Sequence, residues 1–293
     1  METTHIRAFI RSVECGSFKA AAEELGYTTS AVSQLVGALE KELGLQLLRR
    51  SQKGVQLTED GEDLLPFARA YLRSEQEILQ FAAERKGLLS GKVTIASYSS
   101  VAIAWLPGVV RRFKNDYPDI QIEVIDCVRF DLYRHLDRHE ADLGFLAYAD
   151  PMPYDWIPLA EDAVIAVIPE DHPFAGADSL PVEEFEKNDF ILSSRGQEKE
   201  ILEILHQNGV HPDIRYKTYD TPAALALVKM GLGISLVNEL SAQYMNDHIV
   251  KLPLDPPAKI TFGIAVPSLD HMSRASRKFL DYAVKYLTRE ETV

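Results

Sequence analysis

The sequence predicts a multidomain chain: an N-terminal all-α winged helix-turn-helix, a long linker helix, and a C-terminal α/β domain of two lobes. Three observations predict it. Residues 1–58 hold three short helical patterns, each closed by a glycine. Residues 59–90 hold one long amphipathic pattern, and residues 91–293 alternate strand-like with helix-like segments. At 293 residues with 46% hydrophobic content, the chain can bury a sizeable core and divide into more than one domain.

The first helix runs from His5 to Cys15, with Ile6, Phe9, Ile10 and Val13 on one face and Gly16 as its stop. Ser17 caps a second helix, FKAAAEEL, whose alanines let another helix approach closely, and Gly26 supplies the turn that follows. Thr28 or Thr29 caps a third helix reaching about Leu43, which is expected to bury Ala31, Val32, Leu35, Val36, Leu39 and Leu43 and ends at Gly44. Two helices joined through a short glycine-containing turn form a helix-turn-helix, whose second helix enters the DNA major groove by its N-terminal end. Its first turn then needs small residues for close approach and hydrogen-bonding side chains for phosphates and base edges; Thr28, Thr29, Ser30, Ser33 and Gln34 meet that need. Taken alone, the same spacing also suits an ordinary helical hairpin.

Leu45–Leu48 and Val55–Leu57 read as two short strands around a basic turn, Arg49 to Gly54. Such a wing puts Arg50 and Lys53 against phosphates or into the minor groove. As isolated features these side chains would be solvated surface.

The segment AFIRSVECGSFKAAAEELGYTTSAVSQLVGALEKELGLQLLRRSQKGVQLTEDGEDLL resembles the winged helix-turn-helix of LysR-type transcriptional regulators. The ordered set GSF, AA-x-x-L, S-A-V-S, L-E before ELG, the wing arginine and LT-x-x-G carries the likeness without a gap. It implies double-stranded DNA as partner, base or phosphate contacts from Thr28, Thr29, Ser30, Ser33 and Gln34, and a wing contact from Arg50. Three positions depart from the family's habit, which has Pro at Ser30, Phe at Leu48 and a basic or polar residue at Gly37. Gly37 lowers local helix propensity by about 1 kcal/mol relative to Ala and removes a phosphate contact.

Thr58 caps a helix that begins with Glu59 and Asp60, is bent at Pro66 and runs to about Lys86. Leu65, Leu72 and Leu79 recur every seven residues, so residues 59–90 are expected to form a dimerisation helix and hinge, with GLLSG (87–91) as the hinge itself; packing of the helix on the chain's own C-terminal region is the alternative. A homodimer or homotetramer follows.

Beyond the hinge, KVTIAS, a helix Ala104–Tyr117, IQIEVID, a helix Tyr133–His139 and ADLGFLA give βαβ grammar. WIPLA, AVIAVIP, FILSS, a helix Glu198–Gln207, IRYKTY, a helix Pro222–Met230, GISLVN, KITFGIAV and a helix Ser273–Leu287 complete the domain. The expected lobes are about 91–161 with 265–293, and about 162–264. Several stretches, among them SGKVTIASYSSVAIAWLPGVVRRF and VKMGLGISLVN, are similar to the effector-binding domain of the same regulators, itself like type 2 periplasmic binding proteins. A ligand between such lobes lies at strand C-termini and helix N-termini. Ser97, Tyr98, Ser99 and Ser100 follow the first strand, where an anionic group would be stabilised. Ser193, Ser194 and Arg195 open a later helix, with Arg195 able to pair a carboxylate, and Tyr148, Thr218 and Tyr219 sit at strand ends. The expected effector is a small, anionic molecule.

The formal charge of −13 argues against indiscriminate binding to nucleic acid or anionic membrane. Within residues 1–58, seven basic side chains face six acidic ones, so the head is near neutral and the acid belongs to the rest. Two cysteines, Cys15 and Cys127, allow neither a disulfide framework nor a four-ligand zinc site; both read as ordinary thiols, a redox sensor being the lesser alternative. No apolar segment approaches a signal peptide or membrane span, so a cytoplasmic location is expected. His135 and His139 stand four apart but lack the H-E-x-x-H order. No P-loop, dinucleotide fingerprint or G-x-S-x-G elbow occurs, so neither a metal, a cofactor nor catalysis is expected. The resemblance implies a regulator of transcription, with RNA polymerase as a candidate further partner. A solute-binding protein and a two-lobed enzyme are the alternatives, and neither needs the ordered head.

Overall fold

The computed structural model describes residues 2–51, 54–84, 91–193, 199–243 and 247–288. Two compact units emerge: Met1–Gly91 with Asp137–Glu140, and Lys92–Leu136 with Ala141–Val293.

In the first unit, α1 (Thr3–Glu14), α2 (Phe18–Leu25) and α3 (Thr29–Leu43) form the three-helix head. Local capping defines the helices. Ser17 accepts from the Ala20 N–H at 3.1 Å, Thr28 Oγ1 from the Ala31 N–H at 3.2 Å, and Gly26 and Gly44 close their helices with φ of 70°. The core joins Ile6, Phe9 and Ile10 of α1, Ala21 and Ala22 of α2, and Val32, Val36 and Leu39 of α3.

The wing is β1 (Leu48–Ser51) paired antiparallel with β2 (Gly54–Leu57). The first strand begins at Leu48 rather than Leu45. Glu40 Oε1 accepts the N–H groups of Leu47 and Leu48 at 2.8 and 3.0 Å, and the Leu47 side chain is fully buried, so the chain reaches the sheet only after that anchor. Arg49 and Arg50 consequently stand in the strand, opposite Gln56 and Val55, and not in the turn. Near the turn end of the wing the Val55 N–H bonds the Gly16 carbonyl at 2.8 Å. Gly54, with φ of 114°, passes so close to that carbonyl that a Cβ would stand 2.2 Å from its oxygen.

The helix α4 (Glu59–Glu84) is capped by Thr58, whose Oγ1 accepts from the Gly61 N–H at 3.0 Å, and it carries Pro66 inside. Its heptad leucines do not form one seam. Leu65 is buried in the head core and Leu72 packs against the same core. Spacing cannot tell a partner helix from the chain's own α1. The exposed apolar stripe is instead Phe67 (73% exposed), Tyr71, Ile78 (69%) and Phe81, with Leu79 beside it. The 87–90 part of the expected hinge lies outside the described residues.

The second unit is built on β3 (Gly91–Ser97), β4 (Ile120–Asp126), β5 (Leu143–Ala147), β6 (Asp155–Pro169), β7 (Leu180–Pro181), β8 (Phe190–Leu192), β9 (Ile214–Lys217), β10 (Ile234–Asn238) and β11 (Ile249–Val266). The helices are α5 (Ser99–Ala104), α6 (Leu106–Asp116), α7 (Arg129–Asp137), α8 (Lys199–Gln207), α9 (Thr221–Lys229), α10 (Glu239–Ala242) and α11 (Arg274–Leu287). Strand order β4-β3-β5-β11-β6-β10-β8-β9 runs through both lobes, with β7 paired to β11.

The parallel pairs expected from βαβ grammar are present in each lobe: β3 with β5, and β8 with both β10 and β9. The lobes are joined by two long antiparallel strands, β6 and β11. WIPLA and AVIAVIP are thus one strand rather than two, and the ladder slips between Pro253 and Ala258, where two prolines supply no N–H. Phe262–Ala265 of β11 already pair with β5, so the first lobe regains the chain before residue 265. The helix expected over Ala104–Tyr117 is α6, which begins at Leu106 with Pro107 in its first turn, and a separate short helix, α5, precedes it and ends at Ala104.

Candidate DNA-reading head and ligand cleft

On α3 the buried face holds Val32, Val36 and Leu39, which fixes the opposite face outward. Thr28, Thr29, Ser30 and Gln34 are exposed at its start, and Ser33 is half-buried. Thr28 Oγ1 lies 3.1 Å from Ser30 Oγ, so the serine in the family's proline position joins the cap. Gln34 lines a surface groove with Thr4 and His5 of α1 and Tyr27 of the turn. Gly37 is exposed, and a Cβ there would meet nothing within 4 Å.

The head's basic side chains are less available than their number suggests. Arg11 pairs with Glu14 and Glu24 at 2.9 and 3.2 Å, Arg7 with Glu75 at 3.0 Å, and Arg69 of α4 with Glu14 at 3.3 Å. Arg49 is exposed on the wing. Lys53 lies outside the described residues; Arg50 is placed by its backbone alone.

In the second unit several strand ends converge on one cavity of about 440 Å³. After β3, the Tyr98 N–H bonds the Phe145 carbonyl at 3.0 Å, and after β4 the Cys127 N–H bonds the Ser97 carbonyl at 3.0 Å. This sets Tyr98, Ser99, Ser100, Asp126 and Cys127 on one wall. Tyr219, Asp220 and Thr221 at the start of α9, with Asn238, Leu240 and Ser241 after β10, form the other. Ser99 Oγ donates to Asp126 Oδ1 at 2.6 Å, Ser241 Oγ to Asn238 Oδ1 at 2.5 Å, and Asn238 Nδ2 to Asp162 Oδ2 at 2.7 Å. Asp162 also accepts the Leu240 N–H, and its half-buried carboxyl is held above the usual range by desolvation, which these two hydrogen bonds oppose. Burial pushes the Cys127 thiol up to about 11.

The expected ligand residues divide. Tyr98, Ser99, Ser100 and Tyr219 line this cavity. Ser97 is buried, its hydroxyl donating to the Tyr98 carbonyl, and Ser193 is buried; neither lines it. Thr218 turns its hydroxyl to the Asp220 carbonyl. Tyr148 lines a second, more open cavity of about 760 Å³ beside Arg129, Tyr133 and Lys259. Ser194 and Arg195 lie outside the described residues. Sequence reasoning passed over Asp126, Asp220, Thr221, Asn238 and Ser241, although Asp126 ends IQIEVID and Asp220 precedes T-P, a readable helix start. Among the described residues no group of three His, Cys, Asp or Glu side chains could hold a metal, and no helix is long and apolar enough to cross a membrane.

Residues 3–62 match the family described as bacterial regulatory helix-turn-helix protein, lysR family, and residues 86–288 match the LysR substrate binding domain. An uncharacterized HTH-type transcriptional regulator of Bacillus subtilis strain 168, YvbU, is 28% identical, with 97% of this chain and 98% of that protein covered. Full-length OxyR of Pseudomonas aeruginosa shares the fold at a TM-score of 0.76 and 20% identity, covering 99% of this chain and 98% of its own. Full-length CbnR, solved with its target DNA, shares it at 0.69 and 20% identity, covering 98% and 99%.

Proposed function

We propose the following mechanism for this chain, which belongs to the LysR family of transcriptional regulators: two heads read double-stranded DNA as a pair, and a small molecule held between the lobes of the second unit adjusts their spacing. The exposed, polar first turn of α3 opposite its buried face carries this reading. Thr28, Thr29, Ser30, Ser33 and Gln34 contact base edges or phosphates, while Arg50 and Lys53 hold the backbone beside them. The reading involves no catalytic step. It puts the protein in the cytoplasm with its DNA, and makes RNA polymerase the partner that receives the signal.

Pairing follows from charge. With Arg7, Arg11 and Arg69 spent on glutamates, one head has few cations for phosphate, and a second head at fixed separation raises affinity through effective concentration. A second copy of α4 covers Phe67, Tyr71, Ile78 and Phe81; a tetramer is a pair of such dimers. The ligand acts by binding one closure of the lobes more tightly, and about 1–3 kcal/mol of difference gives a 5–150-fold response.

The test is retention of promoter DNA across a salt series, whose log–log slope counts phosphate contacts. Arg50→Ala weakens binding to all duplexes alike, whereas Gln34→Ala changes the preferred sequence. Identical behaviour of the two variants would overturn this division of roles.

A further inference from the structure

Beside the first turn of α3 the head carries a groove of about 390 Å³ that the contacts proposed above leave unfilled. Ala31, Leu35 and Ala38 recur at helical spacing and form its half-buried apolar floor, with Gln34 on the same stripe. Thr4 and His5 of α1 line it from one side, and Tyr27, 49% exposed in the turn before α3, lines it as well. Among its described lining residues none is Lys, Arg, Asp or Glu; the polar groups are two hydroxyls, an imidazole and an amide.

The two polar side chains on α1 already face an anionic oxygen. Thr4 Oγ1 donates to Glu2 Oε2 at 3.3 Å, and His5 Nε2 stands 4.0 Å from the same oxygen. His5 Nδ1 is buried and makes no hydrogen bond with a described residue. A buried N–H without an acceptor costs more than a bare lone pair, so the ring proton sits on Nε2, on the side of that oxygen. Glu2 is itself 75% exposed, and so exposed a carboxylate is held weakly.

We propose that this groove seats the sugar–phosphate backbone of the DNA strand bordering the major groove that α3 enters, with Thr4, His5 and Tyr27 donating to phosphate oxygens and Glu2 competing for the same donors. This rests on the reading of α3 as the recognition helix and extends its contact surface to α1. The groove is continuous with the reading surface, because Gln34 belongs to both. A deoxyribose lays an apolar face on Ala31, Leu35 and Ala38, while its phosphate brings acceptors and no donor, the complement of hydroxyl and imidazole donors. Arg7 and Arg11 are paired with glutamates at 3.0 and 2.9 Å, so uncharged groups supply phosphate contacts that those cations do not. Uncharged donors release no counterions, and such contacts raise affinity without steepening its salt dependence.

The experiment follows retention, by the full-length protein over a salt series, of the duplex it enriches from a random-sequence pool and of an unselected duplex of equal length. Tyr27→Phe and Thr4→Val each delete one hydroxyl at an exposed position, and thermal melting checks that the head stays folded. Each should weaken both duplexes about three- to ten-fold at an unchanged log–log slope, whereas Arg50→Ala lowers the slope by about 0.9 per head. Glu2→Gln should strengthen both. Methylphosphonate in place of single phosphates should reveal one position whose loss costs the wild type more than it costs Tyr27→Phe. Hydroxyl variants that retain both duplexes like the wild type, or a Glu2→Gln variant that binds no better, would overturn the groove; a changed sequence preference in Gln34→Ala would still leave the recognition helix standing. If the wild type enriches no duplex, the recognition helix fails and the groove with it.

Discussion

Glu40→Ala separates the geometry of the wing from its charge. The Glu40 carboxylate is the acceptor for two consecutive N–H groups, those of Leu47 and Leu48, at 2.8 and 3.0 Å. Both side chains are buried, so removing the acceptor leaves two donors beside an apolar core. A hydrogen bond to a charged group contributes about 1.5–3 kcal/mol. Glu40 is itself half-exposed, so water recovers part of the loss and roughly 2–4 kcal/mol is the expected cost for the pair. Against a domain stability of about 5–15 kcal/mol that is a large share, and it lowers the melting point of a head of this size by about 4–8 °C per kcal/mol. Far-UV circular dichroism during thermal unfolding reports the head as the helix-rich transition. Glu40→Gln, which keeps one oxygen, should fall between wild type and Ala. DNA retention should drop in the same order, because β1 carries Arg49 and Arg50. An Ala variant that melts with the wild type would refute the anchor.

Other outcomes follow from the same coordinates. Gly37→Arg enters open space on an ordinary helical backbone, so it should stabilise α3 by about 1 kcal/mol and steepen the salt slope by about 0.9 per head. Ile78→Asp, on the exposed stripe, should leave the head folded and shift sedimentation toward monomer, whereas Leu72→Asp should unfold the head because Leu72 packs into its core. Cys127, with its thiol near 11 against an ordinary 9.0, should alkylate about 100-fold more slowly at neutral pH than in the urea-unfolded chain, as read by mass spectrometry. Its linkage has the matching sign: the folded pKa is raised, so that contribution to stability is complete below about 9, falls as the pH rises toward 11, and should vanish in Cys127→Ser.

What the sequence discloses depends on how local the cause is. Ser17, Gly26, Thr28 and Gly44 are legible because a cap is decided within four residues, and each stands at its helix end. The Leu65, Leu72 and Leu79 repeat is local too, but its partner is not, and the first two face the chain's own α1. The wing strand was displaced by an acceptor on a distant turn of α3, which periodicity does not register. The long strands β6 and β11 read as separate pieces because each half is buried by a different lobe, which breaks the alternation. In the cavity, the residues after β3 were found from strand-to-helix order, but Asp126, Asp220 and Asn238 needed the opposed lobes in place before they could be seen together.

The account rests most heavily on heads acting in pairs, and sedimentation of the full-length protein with a labelled operator half-site and the complete two-half-site duplex tests it directly. The account predicts two chains bound to the complete duplex, weak retention on the half-site, and loss of that difference in Ile78→Asp. A chain that stays monomeric and holds the half-site as tightly as the complete duplex would contradict it.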